Sequence, residues 1–348
     1  MAGKSSQADN RGSNRLSFLV SGKGRDFHTI RNAERSLPPS GIVASGGTRT
    51  TYTDSGTKYA VHVFNSTNPF QVTSLAQGGI PNNIDWLVIG GGGAGGGGCG
   101  GGGGAGGYRT SMPENPGGPS PSSEPAIDAV IGDYTITVGA GGAAPGSAGS
   151  TSVGNPGSHS NLGSLSVARA EGGGGGGYSG GSGAVGANGG CGGGGDYPSR
   201  GVAVGNRVAG TNTPAPNQGY NGGESGTGAA YANGGGGGAG AVGSDAPNSD
   251  IGGNGGNGKA SVISAGPGSP VTRAGGGGGG VYDPGGPSGS GGTGGGAAGS
   301  AADNTSGGNG TANTGGGGGG SSRNSPSKGG AGGSGVVILR YALDPSQS

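Results

Sequence analysis

The stretch of sequence that decides the fold reads IDWLVIGGGGAGGGGCGGGGGAGGYRTS over residues 84–111. A short apolar segment enters an almost unbroken run of glycine, which ends at Tyr108. Pure glycine runs also occupy 172–177, 275–280 and 315–320, and glycine fills 103 of the 348 positions. Glycine loses more backbone entropy on folding than any other residue, so runs of this length need a special packing in order to be ordered.

Three structures compete for these runs. Collagen requires glycine at every third position, which runs of consecutive glycine exclude. A flexible linker is rich in Gly and Ser and lacks strand-like residues at regular points, whereas strand-like residues flank these runs. The polyglycine II helix has three residues per turn and no internal hydrogen bonds, so neighbouring helices must bond to its N–H and C=O groups. The sequence therefore predicts a bundle of polyglycine II helices lying side by side.

Short segments rich in β-branched and aromatic residues surround the glycine. They are bounded by Gly, Asn and Pro, which is typical of strands. The predicted strands are Lys58–Phe64, Phe70–Leu75, Ile84–Ile89, Asp133–Val138, Ser164–Ala168 and Val336–Tyr341. No helical periodicity of useful length is present. The predicted fold class is therefore mainly β, with little or no α-helix: an antiparallel β-sandwich that carries an inserted bundle of polyglycine II helices.

The order of these segments predicts three parts. Residues 48–171 and 335–343 form the sandwich, and residues 172–334 form the helix bundle, to which 90–107 contributes. Residues 1–47 form a basic, polar arm that docks on a larger assembly. A solvated polar tail is the alternative interpretation of the arm. Its candidate docking residues are Arg11, Arg15, Phe18, Arg25, Arg31 and Arg35.

Several function classes are disfavoured by the sequence. A net charge of only +1 argues against a nucleic-acid partner. No stretch approaches the roughly 18 apolar residues of a membrane span, and the polar segment Met1–Gly12 predicts synthesis in a cytoplasm without a signal peptide. Matches to G-x-G-x-x-G carry no information in so glycine-rich a chain. His28, His62 and His159 are far apart in sequence, and Cys99 and Cys191 are interpreted as small residues tolerated within glycine runs.

No nucleophile, base and orienting group can be combined into a catalytic set. A polysaccharide-degrading enzyme needs paired carboxylates across a groove, and the one close pair near a strand, Asp128 and Asp133, is better explained as turn residues. We therefore expect no enzyme activity, no catalytic or metal-binding residues and no cofactor.

Four segments of the chain closely resemble the glycine-rich structural proteins of tailed bacteriophages, particularly those of marine cyanophage type. They are residues 41–111, DYTITVGAGG at 133–142, SLSVARAEGGGGGGY at 164–178 and GGSGVVILRYAL at 332–343. The resemblance covers about residues 41–343 and leaves the arm aside. It implies a virion component without a cofactor, such as a tail fibre, a fibre-tip adhesin, or a fibre or decoration on the capsid.

Two functions follow as expectations from this resemblance. The first is a tail fibre or fibre-tip adhesin, in which loops 196–220, 241–251 and 281–288 face a host-surface receptor. Tyr and Arg are favoured interface residues, although capping of helix ends would equally explain them. The candidate receptor-binding residues are Tyr197, Arg200, Arg207, Tyr220 and Tyr282.

The alternative is a capsid fibre or head decoration protein with a purely structural role. In both cases the expected location is the virion. The expected partners are other virion proteins, contacted through the arm, and the resemblance implies a homo-oligomer with a trimer as the default.

Overall fold

The structure is a computed structural model of the 348-residue chain. It describes residues 40–114, 117–119, 123–145, 152–166, 168–178, 185–195, 203–211, 215–226, 232–248, 250–282, 286–323 and 327–344. The strands of these ranges are β1 Val43–Ser45, β2 Thr48–Asp54, β3 Thr57–Phe64, β4 Asn68–Ser74, β5 Asn83–Ile89, β6 Tyr108–Thr110, β7 Ile127–Asp128, β8 Gly132–Ile136, β9 Ser160–Asn161, β10 Arg169–Ala170, β11 Lys259–Ser261, β12 Val271–Arg273 and β13 Val336–Ala342.

The larger sheet has the strand order β2-β3-β13-β5-β6, and β7 also pairs with β5. Each of these pairs is antiparallel. Strand β13, from the end of the described chain, therefore lies between two strands from its beginning. Residues 336–341 of this strand are all buried. Its nearly continuous apolar sequence follows from this position, because both faces of the strand are covered.

The smaller sheet has the order β1-β4-β8 and is also antiparallel. One buried cluster joins the two sheets: Phe70 and Ile136 come from the smaller sheet, and Trp86 and Leu339 come from the larger one. All four side chains are at most 2% exposed. The predicted mainly β, antiparallel fold is thus confirmed, and within the described ranges the one helical element is a 3-10 turn at Gly163–Leu165.

The other face of the larger sheet is buried by residues from the glycine-rich part of the chain. Leu87 and Ile338 pack there with Ile263 and Ala274, and all four are fully buried. Ile263 follows β11 and Ala274 follows β12, within the segment predicted to be a separate insertion. The sandwich strands and the glycine-rich segment therefore share a second core.

Two polar residues of the larger sheet are buried with their hydrogen bonds satisfied. Nδ1 of His62 donates to the carbonyl oxygen of Gly46 at 2.7 Å, because a carbonyl can only accept, and Nε2 accepts from the Tyr341 hydroxyl at 3.0 Å. Burial lowers the pKa of His62. Arg340 forms an ion pair with Asp85 on the neighbouring strand. His62 therefore fills a buried position on β3.

The prediction of a strand over 164–168 is wrong. The chain turns there instead, with the 3-10 turn at Gly163–Leu165 followed by the short strand β10. Gly163 has a φ of +59°, and its N–H donates to the side-chain oxygen of Asn161 at 3.0 Å. This local turn competes with an extended backbone. The β-branched and apolar residues of the segment give no sign of the turn.

The glycine runs are connected by backbone hydrogen bonds that repeat every three residues. In the run that begins at Gly90, positions 90, 93 and 96 donate to the carbonyls of 107, 104 and 101. Positions 91, 94 and 97 donate to 158, 155 and 152, while 92 and 95 donate to 333 and 330. Residues 90–97 are thus bonded in turn to the second half of their own run and to two other segments.

The same repeat holds in the run that begins at Ala274. Positions 275, 278 and 281 donate to 294, 297 and 300, and positions 276 and 279 donate to 256 and 253. A repeat of three is the one that a helix with three residues per turn gives. The assignment of the polyglycine II conformation to these runs stays a prediction. We call the connected runs 90–107, 172–177, 189–195, 233–240, 252–258, 275–281, 315–322 and 328–335 the glycine lattice.

Candidate binding surface at the outer rim of the glycine lattice

The glycine lattice has an inner end at the larger sheet and an outer end away from it. The run that ends at Gly107 continues directly into β6, and the run that begins after β12 passes outward to Tyr282. Gly106 and Gly100 donate to the carbonyls of Gly315 and Ser321, so the run 315–322 spans the same two ends. The outer rim consists of residues 97–99, 281–282, 300–306 and 321–323.

Backbone hydrogen bonds hold the outer rim together. The N–H of Val281 donates to the Ser300 carbonyl at 3.2 Å, and the N–H of Cys99 donates to the Ser322 carbonyl at 3.0 Å. The side-chain amide of Asn233 donates to the Cys99 carbonyl at 2.6 Å. The rim is therefore bonded to the rigid part of the molecule at several points, which is the arrangement in which loops carry binding residues.

The largest side chains of the rim form one pair. The guanidinium carbon of Arg323 lies 4.3 Å from the centre of the Tyr282 ring, and both residues are half-buried. A cation over an aromatic face at this distance is attracted to the ring. Asp303 and Asn304 beside them are exposed. The rim thus presents an aromatic ring, a cation and hydrogen-bonding groups, which are the kinds of group that bind a partner molecule.

Cys99 does not add a reactive group to this surface. Its side chain is buried and free, and burial raises the pKa of the thiol to about 12, although the nearby charge of Arg323 lowers it. Because the thiolate is the nucleophilic form, the thiol is inert at neutral pH. Cys191 is also free and completely buried. Both fit the interpretation as small residues within glycine runs.

The structure separates the described candidate receptor-binding residues. The N–H of Arg207 donates to Gly189, and the N–H of Tyr220 donates to Gly238, next to Ala239, whose own N–H donates to Ala274. Arg207 and Tyr220 therefore lie together near the inner end. Tyr282 lies at the opposite end of the run that begins at Ala274.

The remaining candidates lie outside the described residues. These are Tyr197 and Arg200 of the loop 196–220, and the arm residues Arg11, Arg15, Phe18, Arg25, Arg31 and Arg35. Of the arm, residues 40–47 are described: Ser40 bridges to Gln77, and β1 pairs with β4. This last part of the arm belongs to the smaller sheet. The roles of the arm and of the loop residues stay predictions.

Sequence reasoning missed Arg323 as the partner of Tyr282. A usable signal exists in the sequence, because each residue follows a run of six glycines within three positions: Val281-Tyr282 after 275–280, and Ser321-Ser322-Arg323 after 315–320. Parallel runs that begin side by side end side by side. The N–H groups of Gly317 and Gly320 donate to Gly275 and Gly278, which identifies the two runs as parallel neighbours.

In the part of the chain that the structure describes, no group of three or more His, Cys, Asp or Glu side chains is arranged to hold a metal ion. None of the described residues belongs to a helix long and apolar enough to cross a bilayer.

A family model described as a glycine-rich domain matches residues 65–342. This range includes every glycine run described above and most of both sheets. No curated protein matches the chain.

Proposed function

The chain belongs to the family of glycine-rich domains, and from this premise we propose that it is a structural protein of a phage virion, acting as a tail fibre or fibre-tip adhesin. In this proposal the glycine lattice is a rigid frame, and its outer rim contacts the host surface. The phage character rests on the sequence resemblance over about residues 41–343, not on the family.

One observation favours the adhesin function over a purely structural role. The outer rim holds the Tyr282 and Arg323 pair, with Asp303 and Asn304 exposed beside it. Tyrosine and arginine dominate binding energy at protein interfaces, and a side chain that is already ordered loses little entropy on binding. A frame that fixes these groups by backbone hydrogen bonds favours recognition.

The first test is binding of the purified protein to host cells. Tyr282→Ala and Arg323→Ala should each weaken binding by about thirtyfold or more, since interface hot spots contribute about 2 kcal/mol or more. Lys58→Ala is the control, because this partly buried lysine lies on β3 and away from the rim. Arg207→Ala tests the inner end in the same way. Unchanged binding of both rim variants would contradict the rim as the receptor contact.

The second test is the location of the chain in the particle. Electron cryomicroscopy at a resolution that traces the chain should place it at the tail, with the outer rim pointing away from the particle. Density on the head would support the alternative, a capsid fibre or decoration protein. Absence from purified particles would contradict both functions.

A further inference from the structure

The hairpin of β11 and β12 places two cationic side chains opposite each other. Lys259 pairs directly with Arg273 in the antiparallel register, so both side chains lie on the same face. Ser261 lies on this face as well, two residues after Lys259. Its hydroxyl donates to Oε1 of Glu114. Like charges at opposed positions destabilise a strand pair, and the negative charge of Glu114 acts on Lys259.

Two buried donors beside this face have no acceptor among the described residues. The side chain of Tyr108 is 0% exposed, and its hydroxyl lies near that of Ser261 but meets no acceptor in good hydrogen-bonding geometry. Nη1 of Arg273 is likewise buried and without a bond, while Nη2 of the same guanidinium donates to the Ser264 hydroxyl at 3.4 Å. Native interiors pair almost all such groups, so two unpaired donors together indicate an acceptor that they share.

The charges around the two donors favour an anion as that acceptor. Burial raises the pKa of Tyr108, so its hydroxyl keeps the proton and remains a donor at neutral pH. Burial lowers the pKa of Arg273 and also that of Lys259, because both lose hydration. A small negative ion would offset the desolvation of both cations as well as accept the two hydrogen bonds.

We propose that this cluster, formed by Tyr108, Lys259 and Arg273 with Glu114 and Ser261 at its border, binds a small inorganic anion of the halide class. The two donor atoms are closed to solvent, which favours a single-atom ion over phosphate or sulfate. The site lies at the inner end of the lattice: β6 begins at Tyr108, and the glycine run 275–280 begins two residues after Arg273. A bound ion would therefore connect the glycine run that ends at Gly107 and the run 275–280 at the edge of the larger sheet. The proposal is independent of the proposed function.

The experiment measures the melting temperature of the full chain against chloride concentration, with sodium gluconate replacing chloride at constant ionic strength. Wild type should melt at higher temperature as chloride increases, because an ion that binds the folded state stabilises it by mass action. Tyr108→Phe removes one hydroxyl and should abolish this chloride dependence. In gluconate alone, the same variant should melt at or above the wild-type temperature, because it removes a buried donor without an acceptor.

Tyr134→Phe is the matched control, since its hydroxyl donates to the Val130 carbonyl at 2.8 Å, away from this cluster. It should retain the full chloride dependence. A wild-type melting temperature that does not respond to chloride would overturn the proposal and leave a water molecule as the acceptor. Chloride dependence that survives in Tyr108→Phe would also overturn it. Anomalous scattering from crystals grown in bromide should show the ion between Tyr108 and Arg273.

Discussion

Gly277 shows why the lattice requires glycine at single positions. Its N–H donates to Gly103 at 2.9 Å, and its carbonyl accepts from Gly236 at 2.8 Å. A Cβ atom added at this position would overlap the carbonyl oxygen of Gly318. The requirement comes from the close approach of a third backbone, because the φ of Gly277 is not positive. A side chain must therefore push neighbouring runs apart and break their hydrogen bonds.

We expect Gly277→Val to be strongly destabilising. Each buried hydrogen bond that is lost costs on the order of 1–3 kcal/mol. Gly268→Val is the control, because a Cβ atom there meets nothing within 4 Å and the residue is exposed. Chemical denaturation of both variants gives the free energies of unfolding. Equal values would contradict the close packing of backbones in the lattice.

At the scale of an element, the segment 252–258 shows how the lattice ends at its edge. It reads GGNGGNG, and both asparagines are exposed while Gly253 and Gly256 are buried. The side-chain oxygen of Asn254 accepts from the N–H of Ser290 at 2.9 Å, and that of Asn257 accepts from the N–H of Thr293 at 3.1 Å. The side-chain oxygen of each asparagine accepts a backbone hydrogen bond that, inside the lattice, the carbonyl of a neighbouring run would accept. Asparagine at every third position therefore marks an outer face of the lattice.

Replacing Asn257 by Ala should release the amide of Thr293. We expect faster hydrogen exchange at this amide and a loss of about 0.5–1.5 kcal/mol in the free energy of unfolding, the net contribution of one hydrogen bond. Asn217→Ala should change neither quantity, since Asn217 is exposed and its side chain bonds to none of the described residues. The measurement is amide exchange followed by mass spectrometry. Unchanged exchange at Thr293 would show that solvent replaces the asparagine without cost.

At the scale of the whole molecule, the described chain is organised around the larger sheet. One face of this sheet packs on the smaller sheet, and the other packs on residues of the glycine-rich segment such as Ile263 and Ala274. Strand β13 takes its place between β3 and β5 only after the chain has passed through every glycine run. Folding of the lattice and of the sheets is therefore expected to be coupled, because neither core is complete without β13.

We predict that residues 1–39 are dispensable for folding and required for assembly. A chain beginning at Ser40 keeps the bridge to Gln77 and all described strands. Its melting temperature should equal that of the full chain, whereas its incorporation into particles should be lost. Circular dichroism and quantitation of the protein in purified virions check the two outcomes. Normal incorporation would show that the basic arm is not the virion anchor.

The sequence by itself determined the mainly β class and the approximate positions of the long strands other than β2, which was not predicted, because alternating apolar residues and bounding Gly, Asn and Pro are local signals. It also predicted close backbone packing of the glycine runs, since consecutive glycines leave few other ordered structures. It failed at 163–165, where one turn overrides strand propensity, and it did not identify β1 within the arm.

Only the tertiary structure decided which run lies beside which. Runs of identical glycines carry no information about their partners, so the pairing is set by the strands and loops at their ends. For the same reason the sequence could not bring Arg323 to Tyr282, place Arg207 and Tyr220 at the inner end, or gather Tyr108, Lys259 and Arg273 around one face of a hairpin. These contacts join residues far apart in the chain, and their geometry depends on the whole hydrogen-bonded lattice.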